Sequence, residues 1–378
     1  MSHTVPGRRP HGVPRRAFLP PVMAVAAALL LAACGSSDDT SDDASPQAAG
    51  AKSRGKVAVL FVGNKTDGSF SQAIYEGGQR AAKEDNVSVQ SVGNLQTPAQ
   101  YLAQGSSFAQ AGYKFVLLGH GAMGPVAVQL AKRFPKTQFC VPNAPPTGTA
   151  KLPANVCFFY PAGEVGAFRA GILAGLATKS GVVASNQGFN FPGINAQTQA
   201  FALGARCVNP KVKVLNTLVN SDIDPAVTKS ATEAQIAKGA DIILGTTSAM
   251  PGLFEAAASH PGTYAIGQYV DASKVAPDAV LASSIVNLQQ IIPYVIGQSL
   301  EGKAEQVSTF GVGAPVPVGL LKLNDQLAQK LPEDVRKRND ALQAQVTEGK
   351  FDIPSFDKIG SMGAAEKIDV ASLGCTQS

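Results

Sequence analysis

From Lys56 onward one pattern repeats along the chain: a short apolar run, then a helical stretch with one apolar face, then another apolar run. "KVAVLFVG" is followed by "SFSQAIYEGGQRAAKEDN", "VSVQSVG", "TPAQYLAQGSSFAQAG", "KFVLLG" and "GPVAVQLAKRF". Runs such as "KVAVLFVG" do not alternate polar with apolar residues, so both faces of such a strand must be covered. Strands separated by helices pair in parallel, because only a long crossover returns the chain to the same end of the sheet. The pattern therefore predicts an α/β fold with mostly parallel sheets and helices on both faces.

The same grammar starts again after "TQFCVP" and "NVCFFY". It runs through "EVGAFRAGILAGLATKS", "GVVASN", "INAQTQAFALGARCVN", "VKVLNTLV", "PAVTKSATEAQIAKGA", "DIILGT", "LFEAAASH" and "TYAIGQ". Two such runs in 378 residues predict two lobes of one architecture. "LASSIV", "NLQQIIPYVIGQSLEG" and "VPVGLLKL" are expected to cross back between them, and the charged "PEDVRKRNDALQAQVTEGK" to form a surface helix. The expected partition is 56–163 with about 286–305 for the first lobe, 164–285 with about 306–325 for the second, and 326–378 for a C-terminal helix and tail. Open α/β sheets bind ligands beyond the carboxyl ends of their strands, which for two facing sheets is the cleft between them.

The N-terminus has a different character. Arg8, Arg9, Arg15 and Arg16 precede the apolar "FLPPVMAVAAALLLAAC", which is shorter than a comfortable membrane span. That is a signal-peptide plan over 1–33. Its end, "LAAC", resembles a bacterial lipoprotein box in which Cys34 is lipidated, although an ordinary secretory signal carrying a cysteine has the same outline. "RRAFL" also resembles a twin-arginine signal, with plain secretory export as the alternative. The polar stretch 34–55, "GSSDDTSDDASPQAAGAKSRG" within it, reads as a flexible tether. Removing the leader's four arginines from 32 basic residues leaves 28 against 27 acidic ones, so nothing suggests a nucleic-acid partner.

Cys140, Cys157, Cys207 and Cys375 remain, an even number in an oxidising compartment. Cys140 and Cys157 lie in neighbouring predicted strands. The expected bridges are Cys140–Cys157 and Cys207–Cys375, with buried free thiols as the alternative.

Gly119, Gly121 and Gly124 have the spacing of a dinucleotide-binding turn after a strand. Such a site also needs an acid at the end of the next strand, and "TQFCVPNAPP" has none. The glycines instead allow a sharp turn that presents backbone N–H groups to the cleft. No hydrolase, metalloprotease or nucleotide-triphosphate motif occurs, and two distant histidines, His120 and His260, do not suggest a metal. Neither a cofactor nor a catalytic residue is expected. His120 is either a ligand donor or a loop histidine. In "NKTDGSFSQAIYEGG", Asp67 offers a hydrogen-bond acceptor and Phe70 a stacking face, while Asp67 can equally cap the following helix.

With "DGSFSQAIYEGG", "INAQTQAFALGARCVNPKVKV", "IDPAVTKSATEAQIAKGADII" and "GQYVDASKVAPDAVLASSIVN" in this order, the chain resembles the basic membrane protein family of extracytoplasmic solute-binding lipoproteins. The resemblance implies a type I periplasmic-binding-protein fold, a monomer, and delivery of a purine nucleoside or base to the permease and ATPase of an ABC importer, without catalysis. It implies that Phe70 stacks on the base, that Asp67 contacts the base or its surroundings, and that Asp271 takes the ribose hydroxyls. Ser71 and Asn287 are also expected at the ligand, and three positions depart from the pattern: Ser71 where Asn is common, Asp222 and Ile223 where an aromatic precedes "DP", and Asn287 where many members have Lys. Phe191 is the expected substitute for the second aromatic. The expected mechanism is closure of the lobes, with Asp67, Phe70, Gly119 and His120 facing Phe191, Thr246 and Asp271. The rival readings are an exported Rossmann-type oxidoreductase and a ligand-sensing lipoprotein without a transport role.

Overall fold

The computed structural model describes residues 53–143 and 151–375; the expected leader, Cys34 and nearly all of the tether lie outside them. β1 (Lys56–Phe61), α1 (Phe70–Glu84), β2 (Ser88–Val92), α2 (Pro98–Gln110), β3 (Phe115–Gly119), α3 (Gly124–Arg133), β4 (Gln138–Val141) and β5 (Val156–Pro161) build the first sheet and its helices. After α4 (Gly163–Ala177) the second run consists of β6 (Val182–Gln187), α5 (Pro192–Val208), β7 (Lys213–Leu218), α6 (Pro225–Ile236), β8 (Ile242–Thr246), α7 (Met250–Ala258), β9 (Tyr264–Gln268) and β10 (Val280–Ile285). The chain ends through α8 (Leu288–Leu300), β11 (Val307–Phe310), β12 (Leu320–Leu323), α9 (Asp325–Ala328), α10 (Glu333–Thr347) and α11 (Phe356–Ile359).

Each sheet has six strands, ordered β11-β5-β4-β3-β1-β2 and β12-β10-β9-β8-β6-β7. All pairings are parallel except β10 with β12. In both sheets the order reverses beside the first strand of the run, so the loops after β1 and β3, and after β6 and β8, splay apart and leave a crevice. The apolar runs behave as their composition requires: β3 and β8 are buried along their whole length.

The expected assignment of 306–325 to the second lobe needs correction. β11 pairs with the edge strand β5, Val307 opposite Phe158, and so extends the first sheet; only β12 joins the second. The chain thus passes between the sheets near Ala162, at Val286–Asn287 and along 311–319. Asn287 sits in one of these passages with a left-handed φ of 64°, and its Nδ2 donates to the Pro317 carbonyl in another at 2.7 Å.

The second lobe is centred on α5, which is buried against α4, the sheet and the C-terminal segment. α4 and α5 approach so closely that a Cβ on Gly171 or Gly204 would overlap the carbonyls of Phe201 and Phe168 respectively. Two disulfides complete the fold. Cys140 and Cys157 face each other in β4 and β5 with Cα atoms 4.5 Å apart, and Cys207 at the end of α5 holds Cys375.

Candidate functional site

The loops at the carboxyl ends of both sheets enclose a cavity of about 410 Å³. Phe70, His120 and Gly121 line it from the first lobe; Phe189, Phe191, Ile194, Asp222, Thr246, Thr247, Ser248 and Tyr269 line it from the second. An adjoining cavity of about 390 Å³ shares Phe70, Gly121, Phe191 and Tyr269 and extends to Asn143, Tyr160 and Gln197. The lobes touch across the crevice. Ser69 Oγ donates to the Thr247 carbonyl at 3.2 Å, and the Phe70 and Tyr269 rings meet edge-on with centroids 5.1 Å apart.

Local structure explains each aromatic position. Phe70 is the first residue of α1, so its ring projects from the helix end into the crevice. Phe191 precedes Pro192, which opens α5; the residue before a proline is held extended, here at φ −142°, ψ 156°. Its ring lies over Gly121, whose missing side chain leaves the space: a Cβ there would come within 3.2 Å of the Phe191 Cζ. Tyr269 has φ 70°, a conformation that is costly for a bulky residue and clusters at functional sites. Its N–H bonds the Ser284 carbonyl at 2.9 Å, and its ring turns into the crevice.

The polar groups divide by role. His120 Nδ1 accepts from the Ala122 N–H at 3.1 Å, and burial pushes its pKa down to about 4. At neutral pH the ring is therefore uncharged, with its proton on Nε2 as a donor. Thr246 lines the cavity and donates to the Asn186 carbonyl at 2.8 Å. Asp222 is 9% exposed; Oδ1 accepts from the Ser248 N–H at 3.1 Å and Oδ2 from the Ser248 hydroxyl at 2.9 Å. Burial raises its pKa to about 6, and the negative charge of Asp67 in the other lobe adds to the rise.

Several residues expected at the ligand lie outside the lining of this cavity. Asp67 caps α1: Oδ1 accepts from Ser69 and Gln72 N–H groups at 2.9 and 3.0 Å, and Oδ2 from the Ser71 N–H at 3.1 Å. Its carboxylate is absent from the lining of the aromatic cavity and borders an outer one with Asn64 and Ile223. Ser71 is buried beneath that turn, its Oγ accepting from the Gly63 N–H at 2.9 Å. Gly119 is required by close packing, since a Cβ there would strike the Leu60 carbonyl. Asp271 is exposed and caps its own turn, accepting from the Ser273 N–H at 3.0 Å. The left-handed step at Tyr269 redirects the chain, so Tyr269 enters the crevice while Asp271 borders an open groove with Asn287 near the passages between the lobes.

Asp222, Tyr269, Phe189, Ile194, Thr247 and Ser248 also line the cavity, and the sequence pattern does not single them out as ligand contacts. Most lie in loops that follow strands of the second sheet, so the rule placing ligands at carboxyl ends names those loops. Which side chain turns inward depends on dihedrals that the residue pattern does not encode.

One buried acid stands behind the site. Tyr160 donates to Glu164 Oε2 at 2.8 Å, Glu164 is 3% exposed, and burial raises its pKa from an ordinary 4.5 to about 7. The folded state therefore holds this proton more tightly than the unfolded chain. The stability it contributes is complete below about pH 4.5 and is lost as pH rises to about 7. Glu164→Gln is expected to leave stability unchanged near pH 4 and to raise it at pH 8 by up to about 3 kcal/mol. Urea titrations at the two pH values check this, and equal effects at both would refute it.

A family model of PnrA-like ABC transporter substrate-binding proteins matches residues 55–349. A purine-binding protein of Brucella abortus is 27% identical over 338 residues, covering 86% of this chain and 92% of its own length. An ABC transporter nucleoside-binding protein of Lactococcus lactis is 28% identical over 207 residues, covering 53% of this chain and 57% of its own. Among solved structures, an ABC transporter solute-binding protein of Aeropyrum pernix superposes with a TM-score of 0.66 at 20% identity, covering 85% of this chain and 98% of its own.

Proposed function

This chain belongs to the PnrA-like family of ABC transporter substrate-binding proteins, and on that premise we propose that it captures a purine base or nucleoside in the crevice between its lobes. The observation that carries the proposal is the set of aromatic side chains from both lobes, Phe70 from one and Phe189, Phe191 and Tyr269 from the other, around a single cavity. Planar heterocycles are bound by such faces, because stacking adds dispersion and quadrupole attraction to the burial of apolar area. The neutral His120 supplies a donor and Asp222 an acceptor, the two polar complements that a purine edge requires. The relatives named for purine and nucleoside binding support the same ligand class.

Capture works by closure. Phe70 and His120 ride on one lobe and Asp222, Phe191 and Tyr269 on the other, so a ligand touching both favours the closed state over the open one. The chain then hands its ligand to an ABC permease and its ATPase, and it catalyses no reaction itself. It acts outside the cytoplasm as a monomer, held at the membrane through lipidated Cys34. No helix among the described residues is long and apolar enough to cross a membrane.

Titration calorimetry of the purified protein with purine bases and nucleosides is expected to give micromolar or tighter binding, about −8 kcal/mol or better. Phe70→Ala is expected to weaken it tenfold or more through a lost stacking face. An absence of heat with every purine tested, together with unchanged X-ray scattering, would sink the proposal.

A further inference from the structure

Asp222 is the one acid among the described residues lining the aromatic cavity, and acceptor sites of its carboxylate face that cavity. An ionised carboxylate has roughly four lone-pair sites. Ser248 fills one on each oxygen, through its N–H to Oδ1 and its hydroxyl to Oδ2, and the Thr247 hydroxyl lends the carboxylate a further donor. Asp222 also lies against Gly188, where a Cβ would overlap Oδ1, so the glycine leaves the room the carboxylate occupies. Burying an ionised carboxylate with unfilled acceptor sites is costly unless further donors reach it. The closed lobes add a second burden, since the negative charge of Asp67 across the crevice acts on Asp222. A ligand that presents two adjacent N–H donors along one edge relieves both, and a carboxylate accepts such a pair in a fork. No cation among the described lining residues competes for that role: the only ionisable base among them is His120, which is held neutral.

We infer that Asp222 is the specificity-determining residue of the cleft, accepting two hydrogen bonds from neighbouring N–H groups on one edge of a planar ligand, and so selecting a guanine-type ring. This rests on the purine-binding reading above and narrows it. Guanine carries N1–H and the 2-amino group side by side. Hypoxanthine keeps the first and lacks the second. Adenine places an acceptor at N1, which faces a carboxylate with like polarity. Loss of one charge-assisted hydrogen bond corresponds to roughly tenfold or more in affinity. A mismatched acceptor costs more, because the site's own group is then left buried and unpaired.

The test is calorimetry at pH 7.5 with guanosine, inosine and adenosine on the intact protein. Guanosine is expected to bind at least tenfold tighter than inosine, and inosine tighter than adenosine. Asp222→Asn, checked for folding by its melting curve, is expected to weaken guanosine by tenfold or more and to bring the three affinities within about threefold of one another. Should that variant fail to fold, the ranking on the parent protein stands as the test by itself. Equal binding of guanosine and inosine, tighter binding of adenosine, or an Asn variant that retains the parent's ranking would each overturn the inference while leaving purine capture intact. Failure of all three nucleosides and their free bases to bind would instead overturn the purine reading itself.

Discussion

Replacing Cys375 with Ser is expected to lower stability by about 2–5 kcal/mol, because the bond it removes closes a loop with a sequence separation of 168 residues. In the chain-entropy account a long loop costs the unfolded state most when it is cross-linked, so the release of this one ranks high among single substitutions. The folded state loses organisation as well. The segment from Lys350 to Cys375 lies beyond the 55–349 stretch matched by the family model, and it is packed on α5. Phe356 rests against Tyr160 with ring centroids 4.5 Å apart, Asn195 Nδ2 donates to the Gly360 carbonyl at 2.9 Å, and Gln199 Oε1 accepts from the Ala365 N–H at 2.9 Å. Asn195 and Tyr160 back the crevice, so the bridge anchors the support of its wall. Melting curves of the variant, and of the parent protein under reductant, are expected to shift down by roughly 10 °C. Coincident curves for variant and oxidised parent would show that the C-terminal segment holds without its bond.

Gly204→Val is expected to yield little folded protein, or one destabilised by more than about 4 kcal/mol. The added atoms meet the Phe168 carbonyl and the Ile172 amide, which belong to α4 and cannot rotate aside as a side chain would. Separating the helices would instead open the most extensively buried helix pair in the second lobe and shift α5, which carries Ile194 and Gln197 to the cavities. Gly181→Ala is the informative contrast. Gly181 has φ 73°, and a Cβ placed on it would meet nothing within 4 Å, so only backbone strain is added, about 1 kcal/mol. Circular dichroism and melting of both variants separate the two causes. Equal losses would mean that close helix approach is not what Gly204 serves.

The two-sheet architecture was legible in the chain because strand and helix periodicities are local, and parallel strands buried on both faces leave apolar runs such as "KVAVLFVG" that little else produces. β11 was harder to place. Its strand is short and half exposed, and its allegiance to β5 is decided by which sheet edge lies free where the chain passes. Phe70, His120, Phe191 and Thr246, expected at the ligand, line the cavity because each falls at a strand or helix end, where topology alone points toward the crevice. Asp67 and Asp271, expected at the ligand, accept from N–H groups of their own turns and lie outside the lining of the aromatic cavity, since a short acidic side chain satisfies nearby N–H groups as readily as a distant partner. Asp222 was visible in the sequence only as a departure, an acid where an aromatic was expected.

By itself the sequence determined the fold class, the repeat of one α/β unit, the end of the sheets at which the crevice opens, and the family. Tertiary structure decided which side chains share the crevice, because that depends on dihedrals such as those of Tyr269 and on the meeting of residues from opposite lobes, Ser69 with Thr247 and Phe70 with Tyr269. Periodicity is written between neighbours in the chain. A crevice between two lobes is written between residues that lie far apart in the chain.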